Sequence, residues 1–223
     1  MGQAIITRRF APLIGPNSAT FDFFRDGSAL ALYRFNNNYN DSGGIFNAQP
    51  NGSSFTSTSK YGPASVNCQN NGVYVDLPVT TRYFSVSGWH YKTQGFNSVN
   101  GYLYDFRLNN TRNGRGYLYA TAGVISLSND STASNQIGDI YVNGVKLTSS
   151  FTFPQNQWVH VVVSVTDSNA TRQIWDRGGL RIGNRSDGTT DGLSGFFDQV
   201  RIFNRSLTQS EVTQLFQEVQ GPL

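Results

Sequence analysis

The acidic residues limit the chemistry this chain can do. Only two of its 223 residues are glutamates, Glu211 and Glu218, and both fall in a late stretch whose spacing predicts a helix. Glycoside hydrolysis needs two carboxyl groups held about 5–9 Å apart. The aspartates are scattered through turn-forming segments, and no predicted strand carries two on one face. His90 and His160 each stand in a predicted strand beside a tryptophan, the setting of a hydrogen-bonded histidine in or next to the core. Cys68 lies in Asn67-Cys68-Gln69-Asn70, with no helix start to lower its pKa. It is the single cysteine, so no intrachain disulfide forms. No phosphate-binding loop, dinucleotide glycine pattern or Cys/His zinc spacing occurs. These residues predict a chain that holds or binds and is not an enzyme.

The composition points the same way. Charged residues are 14% of the chain, below the usual quarter, and Asn, Ser, Thr and Gly fill the gap. The net charge is +3, with local concentrations only at Arg8-Arg9 and in the loose series Arg177, Arg181, Arg185. That spread reads as solvated arginines or contacts to neighbouring protein, and no nucleic-acid surface is expected. No apolar stretch approaches membrane-spanning length, so membrane insertion is not expected. No charged segment leads into an apolar run at the start, so no export signal is expected either.

The elements that must position these residues are mostly strands. Ala31, Tyr33 and Phe35 alternate with Leu30, Leu32 and Arg34, a period of two. Gly72–Pro78, Phe84–Tyr91, Tyr102–Phe106, Gly116–Ala120 and Val124–Ser128 read as further strands. Asn143-Gly144 between Ile140-Tyr141-Val142 and Val145-Lys146-Leu147 is a strong hairpin signal, because both turn positions need positive φ. Trp158–Val165 is a near-continuous apolar run, a strand with both faces buried. Residues 45–72 are rich in Gly, Ser and Asn and read as a long surface excursion. Thr208-Gln209-Ser210-Glu211 is a capping box, and Val212, Leu215, Phe216 and Val219 form one apolar helical stripe. Residues 1–28 read as an extended arm. Its apolar residues are too many for a free tail, so it packs along its own domain or docks on a partner.

The run 195–216 carries a resemblance. Gly195, Phe197, Asp198, Val200, Arg201, Ile202, Phe203, Asn204 and Arg205, followed by Leu207, Thr208, Glu211 and Val212, resemble the closing segment of laminin-G-like jelly-roll domains. These are relatives of the concanavalin A-type lectins and glucanases. Phe84-Ser85-Val86-Ser87-Gly88-Trp89 and Trp158-Val159-His160-Val161 resemble two further strands of the family. Tyr33-Arg34-Phe35 with Asn40-Asp41-Ser42-Gly43 resembles its opening strand and loop. The middle departs: the Asn143-Gly144 hairpin precedes the Trp158 strand instead of following it, and Ala170–Asp176 stands in the later slot.

The resemblance implies an all-β fold: a two-sheet antiparallel jelly-roll sandwich over residues 29–223, with one short C-terminal helix. Related domains often hold Ca2+, and the matching carboxylates are Asp41 and Asp198. Calcium takes six to eight oxygens, so loop carbonyls and waters would have to complete the set. Asp41 also reads as an ordinary turn residue, and Asp198 as a carboxylate that bonds backbone N–H groups. Glycan binding is the other family role. Trp175 falls outside the matched tryptophans and, with Asp176, is the candidate ring and hydrogen-bonding partner, a core tryptophan being the alternative. The Glu-x-Asp-x-x-Glu strand that a glucanase relative would need is absent.

Together these readings predict a non-enzymatic structural or adhesive virion protein: a bacteriophage tail appendage, fibre module or capsid decoration. The opening Gln-Ala-Ile-Ile-Thr-Arg-Arg resembles starts of phage structural proteins. Arg8, Arg9 and Phe10 are the candidate assembly residues, the partners are other virion proteins and cell-surface glycans, and a homo-oligomer or larger assembly is expected. The alternative is an extracellular carbohydrate-binding module or lectin.

Overall fold

Alternation decides which side chains meet. Successive residues of a strand point to opposite faces, and here one face of the first sheet meets the second sheet while part of the other lies under the C-terminal helix. The computed structural model describes residues 21–68, 72–77, 83–93, 101–105, 117–121, 123–125, 138–165, 179–184 and 194–218. Within them, two antiparallel sheets pack face to face.

The first sheet holds eight strands. Its main path runs β11 (Val145–Lys146), β10 (Asp139–Val142), β13 (Trp158–Ser164), β6 (Ser85–Lys92), β15 (Gly195–Phe203), β4 (Ser65–Asn67) and β3 (Ser54–Thr56), with β1 (Ala29–Tyr33) also on β15. The second runs β12 (Phe151–Thr152), β9 (Val124–Ile125), β8 (Tyr117–Thr121), β7 (Gly101–Asp105), β14 (Leu180–Ile182), β5 (Gly72–Val75) and β2 (Gln49–Asn51). The core between the sheets is built from Val86, Val159, Val161, Val163, Phe197, Val200 and Ile202 on one side. Val73, Val75, Leu103, Leu118, Ile125, Leu180 and Ile182 line the other.

The continuous apolar run of β13 now has a reason. Its odd-numbered valines enter the sandwich, while Val162 faces a second cluster with Tyr141, Phe203, Leu207, Val212 and Leu215. That cluster sits under the C-terminal helix (Gln209–Phe216), which starts as the capping box requires: Thr208 Oγ1 accepts from Glu211 N, and Thr208 N donates to Glu211 Oε2 at 2.8 Å. The corner before it hangs on two buried serines. Ser85 Oγ and Ser164 Oγ both accept from Leu207 N, and they donate to the carbonyls of Arg205 and Leu207. The Asn143-Gly144 turn has φ of 48° and 81°. Gly144 O accepts from Thr213 Oγ1 at 3.2 Å, so the hairpin carries one end of the helix.

One expectation is corrected. Residues 45–72 are not a surface excursion: they supply β2, β3 and β4, and Ala64, Val66 and Cys68 are fully buried. These strands have three residues each, too short for a period of two to show. The final residues of the arm also have a place. Phe23 and Phe24 pack on the cluster beneath the helix, and Ser28 O accepts from Asn204 N at 2.9 Å. Arg8, Arg9 and Phe10 lie outside the described residues, as do Trp175, Asp176 and Val219.

Candidate functional site

The outer face of the first sheet divides into a covered half and an open half. A β-bulge shapes the covered half. In β15, Asp198 opposes Trp89 and Arg201 opposes Ser87, so one extra residue lies between them. Gln199 there has φ of 50°. The extra residue puts Asp198 and Arg201 on the same face, where plain alternation would separate them.

Both are then taken up by structure. Asp198 Oδ2 accepts from Lys60 N at 2.8 Å and Tyr61 N at 2.9 Å. Burial pushes this carboxyl up to about 7, against the opposing effect of those N–H groups. Arg201 forms a two-pronged pair with Glu218, one prong at 2.8 Å. Lys60 Nζ lies 4.1 Å over the Trp89 ring, and Phe216 stacks on the same indole at 5.8 Å. His160 donates or accepts at Ser87 Oγ at 2.8 Å. Burial, with neighbouring His90, Arg201 and Lys60, holds it down to about 3. His90 sits between the sheets, edge-on to Tyr104 and Phe197. Desolvation likewise lowers it to about 3. Neither imidazole is poised to exchange protons near neutral pH.

Asp41, by contrast, is engaged through both carboxylate oxygens. Its Oδ1 accepts from Leu32 N and Gly43 N, and its Oδ2 from Ile45 N and Phe46 N. Asp41 and Asp198 thus hold separate loops through backbone N–H groups. Among the described residues no group of three or more His, Cys, Asp or Glu gathers at metal-binding spacing.

The open half carries the candidate site. Trp158 pairs with Tyr91, Tyr91 with Phe196, Phe196 with Asn67, and Asn67 with Ser54. This is one transverse row across β13, β6, β15, β4 and β3. Directly paired residues share a face, and here it is the face of Trp89, Asp198 and His160, away from the sandwich core. Tyr91 and Phe196 are parallel within 11° at 5.4 Å between ring centres, and Trp158 lies 5.3 Å from Tyr91, tilted by 56°. All three rings are only partly buried. Strands lie about 4.8 Å apart, so three rings on neighbouring strands span roughly 10 Å. A platform of that length offers apolar ring faces to one extended ligand.

The sequence reading missed this row. It took Trp158 as a core tryptophan with both strand faces buried, which holds only from Val159 onward. Pairing register brings the three rings together, and that is not visible in any one segment.

The outer face of the second sheet is organised differently. Arg181, between the buried Leu180 and Ile182, opposes Tyr74 on one side and Asp105 on the other. Its guanidinium lies 4.3 Å over the Tyr74 ring, and Asp105 is fully buried. The Tyr74 ring face is therefore already covered.

No protein-family model and no curated protein sequence matches the chain. Solved structures do. Domain 4 of AbnA, a GH43 extracellular arabinanase from Geobacillus stearothermophilus solved with arabinotriose, is 16% identical with a TM-score of 0.53, covering 85% of this chain and 98% of that domain. A Trypanosoma rangeli sialidase mutant gives 0.58 at 13% identity, over 85% of this chain and 32% of its own. The binding domain of Paraclostridial Mosquitocidal Protein 1 gives 0.53 at 18%, over 85% and 52%. These likenesses show the fold: an antiparallel jelly-roll sandwich. This chain matches nearly all of the first and about half or less of the other two. No helix among the described residues is long and apolar enough to cross a membrane.

Proposed function

We propose that this chain is a non-enzymatic adhesive component of a virion, which takes an extended saccharide on the Trp158–Tyr91–Phe196 row. The row is the observation that carries the reading. Carbohydrate rings present C–H faces to aromatic faces and hydroxyls to amide and hydroxyl side chains, and binding sites combine apolar lining with a few placed polar groups. The absence of catalysis is supported by the engagement of both glutamates. Glu211 caps the helix and pairs with Arg205, and Glu218 pairs with Arg201. The virion setting is supported by the sequence resemblance and the apolar arm. A free-standing extracellular carbohydrate-binding module is the second reading, favoured by the likeness along nearly the full length of the arabinanase domain.

A glycan array probes the binding half. The wild type should bind, and Trp158→Ala and Tyr91→Ala should each lose at least tenfold in affinity with circular dichroism unchanged; base-like stacking on aromatics is worth about 1–3 kcal/mol per ring in a related case. Trp175→Ala serves as the control for the site expected from sequence. Silence of the wild type across the array would sink the saccharide reading. Peptide mass spectrometry of purified particles probes the virion half, and absence of the chain from them would favour the free-standing module.

A further inference from the structure

The row of Trp158, Tyr91 and Phe196 carries no charge of its own, and one cation stands beside it. Trp89 lies two residues before Tyr91 on the same face of β6, about 7 Å along the strand. It pairs with His160 and Asp198, which makes the next row. Over that buried indole sits Lys60, with Nζ 4.1 Å from the centre of the Trp89 ring and 5.4 Å from that of Tyr61. The two rings stand at 86° to one another, so the ammonium occupies an aromatic corner. The main chain there is pinned. Lys60 N and Tyr61 N both donate to Asp198 Oδ2, and Tyr61 Oη donates to Glu218 O at 2.8 Å. The charge has no counterion. Among the described residues, Lys60 enters no ion pair and its ammonium donates no hydrogen bond. The carboxyl groups nearby are used elsewhere. Glu218 is held by Arg201. Asp198 is fully buried, and burial pushes it up to about 7, so it carries reduced charge near neutral pH. His160 is neutral there. The exposed residues leading into Trp158, namely Gln155, Asn156 and Gln157, are amides.

We propose that the row selects acidic saccharides: a carboxylate or sulfate on the bound chain meets the Lys60 ammonium while its sugar rings lie on Trp158, Tyr91 and Phe196. This assignment rests on the saccharide reading above and names its ligand class. An ordinary surface lysine gives little to an ion pair, because it must be ordered and water screens it. Lys60 differs on both counts. Its head is seated between two rings and its main chain is bonded to β15, so the ordering is done on folding. The half-buried side chain lies against apolar faces that keep screening water away. A cation over a ring face keeps N–H groups free to donate. An oxyanion on the ligand takes them as charge-assisted hydrogen bonds. The row and its amide end at 155–157 add no carboxylate to repel an anion.

The test titrates the full chain against two matched sets: oligouronates with their carboxyl-reduced forms, and sulfated oligosaccharides with their desulfated forms. The acidic member of a pair should bind at least tenfold more tightly, and the set in which it does so tells carboxylate from sulfate. The preference should shrink as salt rises from about 0.1 M to about 1 M, where the screening length falls from about 10 Å to about 3 Å. Lys60→Met keeps an apolar side chain over Trp89 and the main-chain N–H that Asp198 accepts. It should bring acidic ligands down to the affinity of their neutral partners and leave the neutral ones unchanged, while Lys60→Arg retains the preference. Circular dichroism establishes that each variant is folded. If Lys60→Met does not fold, the salt series on the wild type decides, and a preference indifferent to salt overturns the proposal. Equal binding of acidic and neutral members, or a preference that survives Lys60→Met, overturns it and leaves the saccharide reading in place. Acid binding that ignores Trp158→Ala also overturns it, since the anion would then be held away from the row. Silence of the wild type on every member removes the saccharide reading and this assignment together.

Discussion

At the scale of single residues, Asp198 is the most informative position. Its carboxyl is raised to about 7 by burial, above the unfolded value of about 3.9. Between those values the unfolded chain has released a proton that the folded one keeps. The stability this group contributes is therefore greatest below pH about 4, declines as pH rises toward 7, and is level above it. His90 and His160, both lowered to about 3, act in the opposite sense. Their contribution is present above pH about 6.5 and lost as pH falls toward 3. Asp198→Asn keeps an oxygen for Lys60 N and Tyr61 N and removes the titration. Urea unfolding of both proteins across pH 4 to 8 should show the variant gaining on the wild type by roughly 2–4 kcal/mol as pH rises. Parallel curves would refute the assignment. The sequence marked Asp198 as a carboxylate that either helps hold a metal or bonds backbone N–H groups, and the latter bonds are present. Nothing in its neighbourhood along the chain shows that Lys60 and Tyr61 will meet it.

At the scale of elements, the helix and its hairpin test one another. Thr208→Ala should cost about 1 kcal/mol, the usual effect of losing an N-cap side chain. Gly144→Ala should cost more, roughly 1–2 kcal/mol for the left-handed backbone alone. A methyl group there would also lie 3.1 Å from the Phe216 ring. Thermal melts of the two variants should rank in that order, and a neutral Gly144→Ala would show that the turn relaxes freely. The helix, the hairpin and β13 were legible because each is announced by neighbours in sequence: a cap, a turn dipeptide, an apolar run. The strands within 45–72 were not. At three residues apiece they take their identity from their partners: β4 from β15, far along the chain, β3 from β4, and β2 from β5.

At the scale of the molecule, the sandwich was readable from composition, alternation and the closing motif. The aromatic row was not, since Trp158, Tyr91 and Phe196 come from three separate strands. The arm boundary also needs the fold to interpret it. A chain starting at residue 29 loses Phe23, Phe24 and the Asp26–Arg205 pair. It should melt several degrees below a chain starting at residue 21 by differential scanning calorimetry. Equal melting temperatures would mean that these contacts contribute nothing.

The outermost strands limit how copies of this chain can meet. Among the described residues, β11 and β12 have two residues each and β2 and β3 have three. The five-residue β1 pairs only with β15, and its other margin is met by the following loop, where Ser42 N donates to Leu32 O and Asp41 Oδ1 accepts from Leu32 N. A long bare margin would offer main-chain N–H and C=O groups to any identical neighbour, and the result is runaway sheet growth. Margins this brief offer a neighbour too few of those groups to extend. Many copies can then stand shoulder to shoulder on one surface and still meet only through side chains, which leaves colloidal behaviour in a crowd to the sequence of the outer faces.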